Sequence, residues 1–182
     1  MSEPRSDSAV AAARSETSRH AILRAALDLC ERDGYQNVTL KGIAQAAGTG
    51  RQTVYRWWRT KAEVMLEALT AFVEAPTGSE DLRTFLLETF RLSGGPAGGV
   101  VVGLMADAQS DEAFAVSMRG FIDSRRCALR TVLARTLPAD VDLELAVDMV
   151  FGAMWYRLMN RHAPVDESLA DDVTAMLARL SS

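Results

Sequence analysis

The sequence is poor in the residues that carry metal and redox chemistry. Its 182 residues include two cysteines and two histidines, and none of the four stands in a CxxC or Cys/His spacing. Cys30 and Cys127 lie in apolar stretches of helical pattern, so we expect buried, reduced thiols. The two histidines lie far apart, and no Ser/His/Asp order or acidic quartet accompanies them. The sequence therefore favours a protein that is not an enzyme and holds neither metal nor cofactor.

Long apolar runs are also missing. No stretch approaches the roughly 20 apolar residues that span a bilayer, and the first residues lack the apolar segment and cleavage site of a secretion signal. Hydrophobic residues still make up 48% of the chain, which is enough for a sizeable core in one or two packed units. We expect a soluble, cytoplasmic protein with no membrane partner.

A net positive charge is absent as well, since the formal net charge is −4. Taken alone, this value argues against a nucleic-acid partner. The charge is unevenly spread, however, because residues 1–61 hold 10 basic and 6 acidic side chains, whereas residues 62–182 hold 10 and 18. A basic N-terminal part on an acidic remainder orients the basic part toward DNA.

A helix-turn-helix pattern occupies the end of this basic part. In the run VTLKGIAQAAGTGRQTVYRWWRTK, residues 38–61, Thr39 is a good N-cap and apolar residues then repeat at helical spacing. Gly48 accepts the left-handed conformation that ends one helix and lets the next leave steeply. A second helix is predicted from Thr49 to Trp57, and its placement across a tight turn indicates a DNA-binding motif.

The second helix has an inward and an outward side. Val54 and Trp58 are predicted to face inward, and the outward side carries hydrogen-bond donors and one aromatic ring. Arginine can bond guanine bidentately and glutamine can bond adenine, while Tyr55 and Arg56 can reach phosphates. A third helix begins at Thr60, which with Glu63 forms a capping box in which each satisfies the other's end amide.

These residues resemble the DNA-binding domain of the TetR family of bacterial repressors over about fifty residues. The matching positions are Gly34-Tyr35, Val38-Thr39-Leu40, Ile43-Ala44, Ala47-Gly48, Thr53-Val54-Tyr55 and Lys61. The chain departs from the pattern at Gly50, where the family often has serine, and at Trp57-Trp58-Arg59, where an aromatic followed by Phe-Pro is usual. The resemblance implies an all-α fold of about nine helices, with a three-helix DNA-binding domain followed by a helical bundle.

The motif and the resemblance together give a set of DNA-binding residues. The bases should be read by three residues in the first part of the second helix, Arg51, Gln52 and Thr53. The resemblance implies that others, such as Lys41 and Lys61, lie at or near the phosphate backbone. The full predicted set is Thr39, Lys41, Arg51, Gln52, Thr53, Tyr55, Arg56, Trp57 and Lys61.

The remaining chain reads as helices and short breaks. We predict a mobile arm at residues 1–14, a DNA-binding domain at 15–61 and a ligand-binding and dimerisation domain at 62–182. SGGPAGG at 93–99 reads as the most flexible interior loop. Val100–Ala108 is ambiguous, because its valines favour a strand while the resemblance implies a short helix. The other predicted helices are 17–33, 60–74, 80–92, 111–137, 140–160 and 166–180.

The stretch 140–160 is apolar on two sides, which predicts a partner, because a surface helix needs only one apolar stripe. With the following helix it suggests a four-helix homodimer interface, as the TetR resemblance also implies. The predicted interface residues are Met149, Gly152, Ala153, Tyr156, Val173, Met176 and Leu177.

The second domain is rich in methionine and aromatic residues on helices that should converge. Most of these are expected to be ordinary core, and one or two are expected to line a cavity for an effector. The candidates are Met65, Phe72, Phe90, Met105, Met118, Phe121 and Trp155.

The sequence thus predicts a dimeric repressor that a small-molecule effector releases from a palindromic DNA operator. The alternative is an effector-binding or scaffold protein in which the helix-turn-helix is only structural. The two differ in whether the protein prefers one palindrome among random duplexes.

Overall fold

The computed structural model describes the backbone of residues 5–181 and the side chains of residues 15–180. Within that part of the chain the regular structure is entirely helical, as the sequence predicts, with short 3-10 helices at Tyr35–Asn37 and Arg179–Ser181. The nine α-helices there are α1 (Arg5–Asp33), α2 (Leu40–Ala46), α3 (Arg51–Trp57), α4 (Lys61–Phe72), α5 (Leu82–Gly94), α6 (Pro96–Ala108), α7 (Glu112–Thr136), α8 (Leu143–Asn160) and α9 (Glu167–Ala178).

The chain divides into two compact units, the first ending at Phe72 and the second beginning at Val73. The sequence places this boundary at Lys61, where α4 begins, whereas the structure places it where α4 ends. The reason is that α4 packs along α1. Buried apolar residues from α1 to α4 form the first core, among them Ile22, Ala26, Ile43, Val54 and Met65.

The start of α1 differs from the prediction. The sequence predicts an arm up to residue 14 and a helix from Thr17, but the helix already begins at Arg5. The segment lacks an amphipathic stripe, yet it is rich in alanine, the strongest helix former. Residues 1–4 and the side chains of Arg5 and Arg14 lie outside the described residues.

Helices α5, α7, α8 and α9 share the core of the second unit, in which Phe90, Leu129, Val147 and Leu177 are almost completely buried. Aspartate N-caps begin each of these helices; for example, Asp111 accepts a hydrogen bond of 3.0 Å from the Phe114 amide. Burial of the apolar side chains of this core is the main source of stability in a helical bundle.

The predicted loop at 93–99 is wrong. Helix α5 continues to Gly94, α6 begins at Pro96, and only Gly95 separates them. A Cβ atom at Gly98 would collide with the Ser93 carbonyl oxygen, so glycine is needed here for close packing rather than for flexibility. The open question about Val100–Ala108 is settled as helix.

The cysteines divide. Cys30 is buried, and burial raises the pKa of its thiol. Cys127 is exposed on α7, so the expectation of a buried thiol is wrong at that position.

Among residues 5–181, no helix combines the length and apolar character that crossing a membrane requires.

Candidate nucleic-acid interface

The turn between α2 and α3 has the geometry that the sequence predicts. The Thr39 hydroxyl accepts a hydrogen bond of 3.0 Å from the Gly42 amide and so caps α2. Gly48 has φ of 64°, and the Thr49 amide donates to the Ala44 carbonyl at 3.0 Å. These bonds close the end of α2 in a Schellman-type arrangement.

The same bonds explain why α3 begins later than predicted. Because the Thr49 amide is committed to α2, Thr49 belongs to the turn, and α3 begins at Arg51 after Gly50. Gly50 offers no side chain to cap the helix. Arg51 is therefore the first residue of the recognition helix.

The capping box of α4 forms in a modified way. The Glu63 amide donates to the Thr60 hydroxyl at 3.2 Å, as predicted. The Glu63 carboxylate, however, accepts from the Arg59 amide at 2.6 Å rather than from Thr60. The Glu63 side chain therefore reaches one residue further back than predicted, and the backbone amides of Arg59 and Glu63 are both satisfied.

Helix α3 presents two distinct sides. Val54 is completely buried and Trp58, its C-cap, is 3% exposed, as predicted. Tyr55 is 55% exposed, and three further side chains that can bond bases or phosphates are exposed with it, namely Arg51, Gln52 and Arg56. Thr53 and Trp57 are half-buried, so they belong to the margin of this surface.

Positive charge is more concentrated around the helix-turn-helix than the count over residues 1–61 indicates. From Gly34 to Ala62 the sequence contains no aspartate or glutamate. The basic residues in this interval are Lys41, Arg51, Arg56, Arg59 and Lys61. An uninterrupted positive stretch attracts a polyanion and releases its condensed counterions. This signal is readable from the sequence, and the broader count over residues 1–61 overlooks it.

The two lysines of the chain have different surroundings. Lys41 is exposed in the first turn of α2. The Lys61 ammonium is half-buried; it donates to the Tyr35 carbonyl oxygen at 3.1 Å and lies 4.5 Å from the centre of the Tyr35 ring. Lys61 therefore joins α4 to the segment that follows α1, and two of its three ammonium hydrogens remain for other acceptors.

The predicted ligand-pocket residues do not all lie in one unit. Met65 and Phe72 are on α4 in the first unit, and the Phe72 ring packs against His20 and the Arg24 guanidinium at 4.5 and 4.1 Å. Phe90 is completely buried in the second core. The remaining candidates also lie in the second unit, with Met118 buried and Met105, Phe121 and Trp155 half-buried.

Helix α8 buries one apolar side and exposes the other. Val147, Val150 and Met154 lie in the core of the second unit, whereas Met149 and Tyr156 are 52% and 64% exposed. Gly152 is exposed and Ala153 half-buried.

The predicted interface residues on α9 divide. Met176 is 42% exposed. Val173 and Leu177 are 6% and 1% exposed in the core of their own protomer, so they offer little surface to a partner.

The fold and the site define a class of protein. A helix pair joined by a glycine turn, whose second helix exposes arginine, glutamine and tyrosine and which lies in a basic four-helix unit, is typical of a DNA-binding regulator of transcription.

Comparison with known proteins identifies the family. Residues 22–68 match the family described as "Bacterial regulatory proteins, tetR family", and residues 75–177 match "Tetracyclin repressor-like, C-terminal domain". The chain belongs to the TetR family of transcriptional regulators, as its motif predicts.

Individual relatives agree. The chain is 31% identical over 173 residues to an uncharacterized HTH-type transcriptional regulator, YdeS of Bacillus subtilis (strain 168), covering 88% of this chain and 87% of that protein. It is 29% identical to the DNA-binding transcriptional repressor TetR of Mycobacteroides abscessus, covering 92% and 97%. The crystal structure of the TetR family regulator SCO0332 is similar with a TM-score of 0.69 and 25% identity, covering 91% of this chain and 98% of that one.

Proposed function

We propose that this regulator is a cytoplasmic, homodimeric repressor that binds a palindromic DNA operator and leaves it when a small-molecule effector binds. The exposed basic side of α3, in a segment without an acidic residue, is the observation that carries this proposal. Similarity to a protein named a DNA-binding transcriptional repressor supports repression over activation.

The contacts with DNA divide into two kinds. Arg51 and Gln52 open the recognition helix and are exposed, so they read base edges in the major groove, with half-buried Thr53 beside them. Tyr55 and Arg56, about one turn later, reach phosphates. Phosphate contacts fix the register on the duplex, whereas base contacts select the sequence.

Four further phosphate contacts complete the interface, three of them from outside α3. Thr39 and Lys41 lie at the beginning of α2 and Lys61 at the beginning of α4, while Trp57 ends α3. Lys41 is the more exposed of the two lysines, and Lys61 combines a phosphate contact with its hydrogen bond to the Tyr35 carbonyl oxygen.

Dimerisation follows from the uncovered side of α8. Met149 and Tyr156 are large apolar or aromatic side chains more than half exposed, and Met176 on α9 adds to the apolar surface. A two-fold axis through this surface pairs two recognition helices, and a palindrome with half-sites about 34 to 36 Å apart matches that symmetry.

The effector acts by mass action between two shapes. It binds more tightly to the state in which the two recognition helices are wrongly spaced for successive major grooves, so it lowers the affinity for DNA. Within the second unit, half-buried Met105, Phe121 and Trp155 are the proposed lining, because their side chains are neither fully packed nor fully solvated.

Selection from a pool of random duplexes tests the proposal. We expect one palindrome to be enriched, with one dimer bound per duplex. No preferred duplex at low salt would favour the rival interpretation, in which the helix-turn-helix is only structural. Addition of candidate effectors to the complex then tests release.

Two substitutions separate the kinds of contact on the selected operator. Arg51→Ala should lose about 1 to 3 kcal/mol on the cognate duplex and relax preference at one base pair per half-site. Lys41→Ala should weaken binding to cognate and scrambled duplexes alike and reduce the salt slope by roughly one ion per subunit. Undiminished discrimination by Arg51→Ala would contradict the base-reading role.

A further inference from the structure

One carboxylate joins three helices of the first unit. Glu67, at the middle of α4, accepts a hydrogen bond of 2.9 Å from the Trp58 indole nitrogen to Oε2. Its other oxygen, Oε1, lies 2.7 Å from Nε of Arg19 on α1. Both the Arg19 and the Glu67 side chains are about one-third exposed. A single acidic group therefore binds α1 and the end of α3 at the same time.

The Arg19 guanidinium also lies over the two tryptophans. Its central carbon is 4.9 Å from the centre of the Trp57 ring and 5.9 Å from that of Trp58. The Arg56 guanidinium is 5.5 Å from the Trp57 ring. Cation–π contacts at these distances are favourable, so Arg19 fixes the last turn of α3 from the side of α1.

The recognition helix depends on such support. It has seven residues, and its N-cap, Gly50, supplies no side-chain hydrogen bond. A helix this short does not hold its shape in isolation, so tertiary contacts must set its direction. The contacts that carry charge are gathered at its C-terminal end, around Trp57 and Trp58.

We propose that Arg19 and Glu67 are positioning residues for operator binding, which hold the C-terminal end of α3 in the orientation that the groove requires. The inference rests on the proposed operator. Neither residue needs to touch DNA, because Glu67 acts through Trp58 and Arg19, and Arg19 acts through Trp57.

The sign of one charge change tests the proposal. Glu67→Gln keeps an acceptor for the Trp58 indole but removes the ion pair with Arg19. By long-range electrostatics alone, removing an acidic group from the DNA-binding unit should strengthen binding. Loss of positioning should instead weaken it by about fivefold or more, which corresponds to a loss of about 1 kcal/mol or more in binding free energy.

Glu31→Gln is the matched control. Glu31 is an exposed residue of α1 in the same unit, and its substitution makes the same charge change away from the cluster. We expect equal or tighter operator binding for Glu31→Gln and weaker binding for Glu67→Gln, with circular dichroism showing both proteins folded at the assay temperature. Equal behaviour of the two variants would overturn the inference.

A double-mutant cycle and a salt titration complete the experiment. If Arg19 and Glu67 act as a unit, Arg19→Gln combined with Glu67→Gln should weaken binding no more than Arg19→Gln alone, with the salt slope unchanged. Additive losses, or a slope reduced by about one ion per subunit in Arg19→Gln, would refute positioning in favour of separate roles or a direct phosphate contact. Wild-type protein that selects no palindrome would instead contradict the proposed function, so the two failures are distinguishable.

Discussion

Substitution of Gly152 by arginine tests dimerisation without disturbing the protomer. Gly152 is exposed within α8, and a Cβ atom built there meets no atom within 4 Å. The first atom of a larger side chain therefore meets no obstacle in the isolated protomer at this position. Replacing glycine inside a helix also removes a destabilisation of about 0.8 to 1 kcal/mol. Gly152→Arg should therefore fold at least as well as the wild type.

The effect on a dimer should be large. Symmetry brings two arginines into one interface beside the apolar surface of Met149 and Tyr156. The nearest carboxylate on the same helix, Asp148, is already paired with Arg126. An uncompensated charge buried in such a place destabilises by about 3 to 5 kcal/mol. That range corresponds to roughly two to three and a half powers of ten in the dissociation constant. The variant should be a monomer at concentrations where the wild type is a dimer, and it should lose affinity for the full palindrome.

Gly120→Arg is the matched control, because Gly120 is likewise an exposed helical glycine, on α7, whose added Cβ meets no atom within 4 Å. Sedimentation velocity over a wide concentration range should show a dimer for wild type and Gly120→Arg and a monomer for Gly152→Arg. Circular dichroism checks that all three are folded. A Gly152→Arg protein that dimerises like the control would refute the assignment of α8 to the interface.

Three further predictions concern local contacts. Trp58→Phe should lower the free energy of unfolding by about 1.5 to 3 kcal/mol, since it removes a buried N–H bond to a carboxylate, whereas Trp57→Phe should change it little, because that buried N–H has no hydrogen-bond partner among the described residues; urea unfolding at matched protein concentration compares them. Hydrogen bonds from the backbone amide and the side-chain hydroxyl of Thr84 hold the pKa of Asp81 below its usual value. The wild type should therefore lose this cap as the pH falls from the ordinary carboxyl range through that lowered pKa, and Asp81→Asn should show a flatter melting temperature over the same acidic range. Gly78→Ala should destabilise by about 1 to 3 kcal/mol, because φ is 90° and the new Cβ would lie 2.6 Å from a backbone oxygen of α7, while Gly99→Ala, with open space at its Cβ, should stabilise slightly by thermal unfolding.

The elements that the sequence predicts well are those that local chemistry determines. Asp111 and Asp166, at the first positions of the predicted helices 111–137 and 166–180, cap α7 and α9, and Gly48 turns the chain where a left-handed residue is needed. The junction of α5 and α6 is different. Its glycines predict a flexible loop, but position 98 requires glycine because the Ser93 carbonyl oxygen lies where a Cβ atom would be. This close contact between α5 and α6 exists only in the folded chain.

The candidate site divides in the same way. The exposed residues of α3 follow from periodicity, since a buried Val54 fixes which side faces outward. The contacts that hold the C-terminal end of α3 do not follow from periodicity. Trp57 and Trp58 are adjacent and chemically identical, yet one indole finds Glu67 as its acceptor and the other finds none among the described residues. Periodicity places Trp58 on the inward side, but the acceptor that its indole meets is set by the packing of α4, which carries Glu67.

Val173 and Leu177 on α9 show what the number of apolar stripes on a helix indicates. A helix with one long apolar stripe must use it for its own core, and Val173 and Leu177 lie on such a stripe with Leu169. Helix α8 has two, so when Val147 and Met154 are buried, Met149 and Tyr156 remain exposed. Counting apolar stripes per helix, rather than apolar residues per segment, keeps α8 as the proposed interface helix and places Val173 and Leu177 in the core of the protomer.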